Sequence, residues 1–205
     1  GPPFQASAQT VPAPSKGTPI NTTTSLQDDV KQLSQDPQLM LTAGRQALDS
    51  IMRILDGTHQ PEAIGHDRLT RMAALIETSL PHRDALLVAA INPDTTRDDL
   101  TTITEQPHDP AAVKLIFTSL TTCFEGRTPV NQERADRAYN LFDQLTAAVG
   151  PTPHLSASRA YLAWAARDPD QASSYMVQAL TLDRTNNLAA LIALALSKNI
   201  NPTDD

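Results

Sequence analysis

Asp84-Ala85-Leu86-Leu87-Val88-Ala89-Ala90-Ile91 runs seven apolar residues together after its opening aspartate. A helix lying on a protein surface would break such a run with polar positions. One that is apolar all round needs neighbours on every side. Ala and Leu are also strong helix formers. The segment therefore predicts a short central helix with other helices packed around it, closed by a turn at Asn92-Pro93.

Reading outward, the flanking segments carry the surrounding layer. Ser25 is expected to cap a helix reaching about Gln35, with Asp28 in the capping-box position. Asp36-Pro37 opens the next by the cap-then-proline rule, with Met40, Ala43, Ala47, Ile51, Ile54 and Leu55 on one stripe and Gly57 as its stop. A third runs to Leu80, with Leu69, Met72, Ala73, Ile76 and Leu80 on one face, and Pro81 breaks it. Beyond the central helix come a Thr-rich helix at about Thr95–Glu105, capped by Asp94, and one opened by Asp109-Pro110. The latter is expected to turn Val113, Ile116, Phe117, Leu120 and Phe124 inward. Pro129 to Val149 is the longest clean amphipath, and three more helices follow at about 153–167, 169–182 and 186–198. No convincing alternating strand occurs between them. The expected fold is all-α: an irregular multi-helix bundle or short α-solenoid of about 8–10 helices.

The domain organisation follows from composition. Residues 1–24 hold Pro2, Pro3, Pro12, Pro14 and Pro19 among Ser, Thr, Gln and Ala. They show no apolar period, so they are expected to be a disordered linker or tail; docking through Phe4, Val11 and Ile20 is the competing reading. Residues 25–200 read as a single helical domain and 201–205 as a tail. The opening Gly1-Pro2 looks like the residue of a tag-removing protease, and the chain is expected to be part of a larger protein.

Charge and composition exclude several functions. The net charge of −7 repels phosphate backbones, so no nucleic-acid partner is expected. Arg127, Arg134 and Arg137, the nearest approach to a basic face, are interspersed with Glu133 and Asp136 and read as a solvated mixed-charge surface. No apolar run reaches the ~18–20 residues a membrane span needs, so no membrane partner is expected. The single cysteine, Cys123, forms neither an internal disulfide nor a zinc site alone. It reads as a buried inert thiol and suits a reducing compartment.

Signatures of chemistry are missing. His59 and His66 are seven apart, but Pro61 and Gly65 interrupt the helix that would align them. Asp94, Asp98 and Asp99 lack the alternating order, central Gly and distal Glu of a calcium loop. None of the seven glycines builds a phosphate-binding loop or a Gly-x-Ser-x-Gly elbow. No catalytic residue, metal ligand or cofactor is expected.

The C-terminal fifty residues carry a specific pattern: Trp164-Ala165-Ala166-Arg167-Asp168-Pro169-Asp170-Gln171-Ala172, then Tyr175-Met176, then Ala179-Leu180-Thr181-Leu182-Asp183. This is similar to one tetratricopeptide unit over about residues 150–200, with Ala172 and Ala179 as the small residues between two helices. It departs from that repeat at Arg167, where a turn glycine is usual, at Arg184, where proline is, and at Arg159, where a buried leucine is. About three units make a free-standing superhelix, so this one must lean on the helices before it. More widely, His82-Arg83-Asp84-Ala85-Leu86-Leu87, the Trp164–Ala172 segment, Leu188-Ala189-Ala190-Leu191 and Asn201-Pro202 resemble the C-terminal half of an uncharacterised actinobacterial family. The resemblance implies a bacterial, cytoplasmic protein and supplies no activity.

In tetratricopeptide proteins the first helix of a unit lines the peptide-binding face. Carried onto this chain, the resemblance implies outward-facing His154, Ala157, Tyr161, Trp164 and Ala165 as a partner-binding set, Tyr161 and Trp164 being suited as anchors. Trp164 as a core residue is the competing reading. The nine apolar residues Leu188–Leu196 leave the last helix without a polar face. It either inserts among the preceding helices or docks on the remainder of its own protein or a second copy, as a homodimer. The expected function is a helical protein–protein interaction module with a protein or peptide partner. The alternative is a small-ligand-binding or enzymatic domain with an inter-helix pocket lined by His82, Cys123 or His154.

Overall fold

A computed structural model describes residues 22–203, with side chains from Leu26 onward. Residues 1–21, most of the expected linker, and 204–205 lie outside the described residues. Ten α-helices and two single turns of 3₁₀ helix make up the described chain, with no strand among the described residues. The all-α expectation holds.

Helix α1 spans Thr22–Gln35, starting three residues ahead of the expected Ser25 cap. α2 spans Pro37–Leu55, and its Asp36 cap accepts from the amides of Gln38 and Leu39. α3 covers His66–Thr78 and α4 Leu80–Ile91. Pro81 does not break α3. It sits in the first turn of α4, where its missing N–H costs nothing, and Ser79 alone separates the two helices. Leu80 accordingly leaves the α3 stripe and is 47% exposed.

α5 is Arg97–Glu105. Its cap is Thr96 rather than Asp94, in a reciprocal box with Asp99, because Thr96 is the last extended residue and stands three before a carboxylate. α6 is Pro110–Leu120, capped by Asp109. After a 3₁₀ turn at Thr122–Glu125 and a left-handed Gly126, α7 runs from Gln132 to Val149. α8 is Pro153–Ala165, α9 Pro169–Leu182 and α10 Asn187–Ser197, capped by Thr152, Asp168 and Asn186.

α4 occupies the centre. Ala85 through Ile91 have no exposed surface, and α2, α3, α5, α6, α7 and α8 all pack on this helix. α1 lies over α3, inserting Leu26 and Leu33. At the other end α8 and α9 form the most extensive helix pair, with α10 against both.

Arg134 corrects the reading of a solvated basic surface. It is 7% exposed, its Nε donates to the Ala89 carbonyl at 3.0 Å, and its Nη1 pairs with Asp56 at 2.7 Å. Arg137 donates to the Leu55 carbonyl at 3.0 Å. The two guanidiniums thus satisfy carbonyls at the C-terminal ends of α2 and α4, where the helix dipole favours a cation. The expected 201–205 tail is also partly docked. Pro202 is buried, and the Thr203 carbonyl accepts from the Val130 amide at 3.4 Å.

Candidate functional site

The residues expected to face a partner on α8 lie in the interior. Ala157, Tyr161 and Ala165 have no exposed surface, Trp164 has 2%, and His154 is half-buried. Three features cover the outward face of α8. Phe124 stacks on Trp164 with ring centroids 4.3 Å apart and meets Tyr161 edge-on at 5.6 Å. The chain beyond α10 turns back so that Trp164 Nε1 donates to the Ile200 carbonyl at 2.8 Å. α9 and α10 close the remaining sides. Tyr161 and Trp164 are therefore core aromatics, and the competing reading of Trp164 is the right one. Neither the repeat pattern nor the run of α8 could reveal a cover supplied by residue 124 and residue 200.

Cys123 belongs to the same cluster. Its Sγ lies 3.1 Å from both the Tyr161 hydroxyl and the Leu120 carbonyl. Burial pushes the thiol above its ordinary pKa. Nucleophilic and metal chemistry need the thiolate, so this environment suits the inert thiol read from sequence.

The sequence placed Val113 and Phe117 in the core; the structure puts both outside. α6 packs inward through Ala112, Ser119 and Leu120, with Leu115 and Ile116 half-buried. Val113 is 54% and Phe117 55% exposed. They stand four residues apart, so one face of the helix carries both. Apart from Pro110 and Lys114, all six residues from Pro110 to Phe117 are apolar, so periodicity alone cannot choose which face turns in. Phe124 is not on that face at all, because α6 ends at Leu120 and the 3₁₀ turn sends it to α8. Further large apolar side chains are exposed on α9 (Val177, 55%; Leu182, 48%) and α10 (Leu194, 50%). α10 inserts Leu188, Ala189, Ile192 and Ala195 into the fold, so four of the nine residues in its apolar run are buried within the chain.

His82 lines a hollow of about 260 Å³ between α2 and the end of α5, together with Met40, Gly44, Arg45 and Glu105. Its Nδ1 lies 2.7 Å from the Ser79 hydroxyl. Burial pushes the imidazole down to about 4, partly opposed by the Glu105 carboxylate. Glu105 accepts from Arg45 at 2.7 and 3.2 Å, which holds its carboxyl below its ordinary value. The ring lies directly over Gly44, where an added Cβ would come within 2.5 Å of Nε2. Of the alternatives named for an inter-helix pocket, His82 lines this hollow, Cys123 lies in the aromatic cluster, and His154 approaches Arg83 at 3.4 Å. The structure does not bring them together.

Among the described residues no three His, Cys, Asp or Glu side chains converge on a metal site, and no helix is long and apolar enough to cross a membrane. No protein family, no curated protein and no solved structure matches this chain.

Proposed function

We propose that this chain is a helical protein–protein interaction module within a larger cytoplasmic protein, and that α6 carries its contact face. The observation behind this reading is the exposure of Val113 and Phe117 on one side of a helix whose other side is anchored on the central α4. Large aromatic side chains dominate binding energy when a partner covers them, and a helix face with apolar residues at i and i+4 is the usual element of helix-in-groove recognition. The partner is a protein or peptide, or the remainder of this chain's own protein. The buried free thiol suits the reducing interior of a bacterial cell. α8 and α9 serve as the tetratricopeptide-like unit, a reading supported by their extensive packing, the short turn joining them, and buried Ala172 and Ala179 between them.

The test is affinity capture from source-cell lysate with the wild type beside a Val113→Ser/Phe117→Glu variant of matched melting temperature. Loss of the captured partner in the folded variant supports the reading; undiminished capture removes α6 from it. The hollow under His82 supports the second reading, a small-ligand or enzymatic site. A ligand bound there would raise the melting temperature, and His82→Gln would abolish that rise.

A further inference from the structure

A trough between α2 and α3, well apart from the α6 residues, combines an apolar floor with unpaired cations. One half, about 240 Å³, is floored by Ala43, Ala47, Met72 and Leu75. The other, about 440 Å³, is lined by Arg53 together with Asp49. Gln46, Ser50 and Arg68 line both halves, which makes the trough continuous. It is open because α2 presents alanines at positions 43 and 47, too small to fill the space beside α3.

The charges in the trough do not cancel. Asp49 is held by Arg97 at 2.9 Å, and Arg71, at the apolar end, by Asp29 at 3.1 Å. Arg68 donates to the Ser50 hydroxyl at 2.9 Å. Among the described residues neither Arg68 nor Arg53 lies within ion-pair distance of a carboxylate. The trough's remaining acid, Asp67, is likewise in no ion pair. The half lined by Arg53 and Arg68 holds no acid but Asp49, which Arg97 already pairs, while Asp67 and Asp28 lie toward the other end, beside Arg71. Arg71 adds a buried Nε–H with no hydrogen-bond acceptor among the described residues. Gly65, at the N-cap of α3, supplies no side-chain acceptor for the first turn that carries Asp67 and Arg68.

We propose that this trough binds an aliphatic monocarboxylate, its carboxylate between Arg53 and Arg68 and its alkyl chain over Ala43, Ala47, Met72 and Leu75. Guanidinium geometry matches a carboxylate through paired N–H donors. A carboxylate there supplies the anionic partner that neither guanidinium has among the described residues. The apolar floor gives a reason for a chain attached to the head group. This site stands whether or not α6 binds a partner.

The experiment titrates isotope-labelled protein with sodium octanoate, following the arginine Nε–Hε signals and the backbone amides of α2 and α3 by NMR. Acetate and octanamide serve as controls, one lacking the chain and the other the charge. Octanoate is expected to give saturable shifts at Arg53, Arg68, Ala43 and Met72, with each control weaker by about tenfold or more. An Arg53→Gln/Arg68→Gln variant is expected to weaken octanoate by a similar factor. Both arginines are exposed, so the variant keeps its fold, checked by an unchanged melting temperature. No saturable shift, equal binding of octanamide, or unchanged affinity in the variant would overturn the proposal.

Discussion

Adding one methyl group at Gly44 sets two known effects against each other. Gly44 lies inside α2, where alanine is favoured over glycine by about 1 kcal/mol. The new Cβ would stand 2.5 Å from His82 Nε2, and 3.4 and 3.5 Å from Cδ2 and Cε1. The ring cannot retreat freely, because Ser79 holds its Nδ1 at 2.7 Å. Overpacking of this kind costs about 1–3 kcal/mol. Gly44→Ala is therefore expected to destabilise the wild type by about 0–2 kcal/mol. In a His82→Ala background the clash is gone, and the same change is expected to stabilise by about 1 kcal/mol. The two substitutions should show a coupling energy of about 1–3 kcal/mol. Urea unfolding of the four proteins at neutral pH, with m-values held in common, reads it directly. Equal stabilisation by Gly44→Ala in both backgrounds would refute the packing of His82 on α2.

The same histidine governs a pH dependence. In the folded chain its pKa lies at about 4, against an ordinary 6.5. Between those values the unfolded chain binds more protons, so the contribution is complete above about pH 6.5 and falls by about 3 kcal/mol as pH drops through 4. His82→Gln should remove that part of the difference between unfolding at about pH 7 and about pH 4.5, and an unchanged slope would contradict the burial of a neutral ring. Trp164→Ala should cost about 3–5 kcal/mol in urea unfolding, and the emission of this single tryptophan should be blue-shifted and resistant to acrylamide; a surface-like emission would contradict its place in the core. Thr96→Ala should cost about 1 kcal/mol through loss of the α5 cap, whereas Asp94→Ala should stay within about 0.5 kcal/mol. Leu194→Glu should leave stability within about 0.5 kcal/mol in urea unfolding, because Leu194 is half exposed.

Much of this fold was legible because its signals are local. Proline after a capping residue marks the starts of α2, α6, α8 and α9 in sequence and in structure. The apolar run at Ala85–Ile91 gave the central helix, since no other arrangement hides all its faces. Boundaries depended on competition between neighbouring signals. Pro81 can end one helix or begin the next, and the extended backbone of Ser79 decided for the latter. Which large side chains lie outside was less legible. Tyr161 and Trp164 have the chemistry of interface anchors, but their cover comes from Phe124 and the chain at Ile200, long-range partners that carry no trace in α8. Val113 and Phe117 looked like core because α6 is apolar on more than one face, and only the packing against α4 and α5 selects Ala112 and Ser119 for the interior. Arg134 read as solvated because its carbonyl partner on α4 lies 45 residues away.

The most direct test of the α6 contact face is site-specific photo-cross-linking. A photoreactive residue replaces Phe117 in one protein and Ser174, an exposed position on α9, in another. Both are expressed in the source cells and irradiated. A discrete cross-linked species from position 117, absent from position 174 and lost on Val113→Glu, is the predicted result. Adducts no stronger at 117 than at 174 would contradict α6 as the contact face.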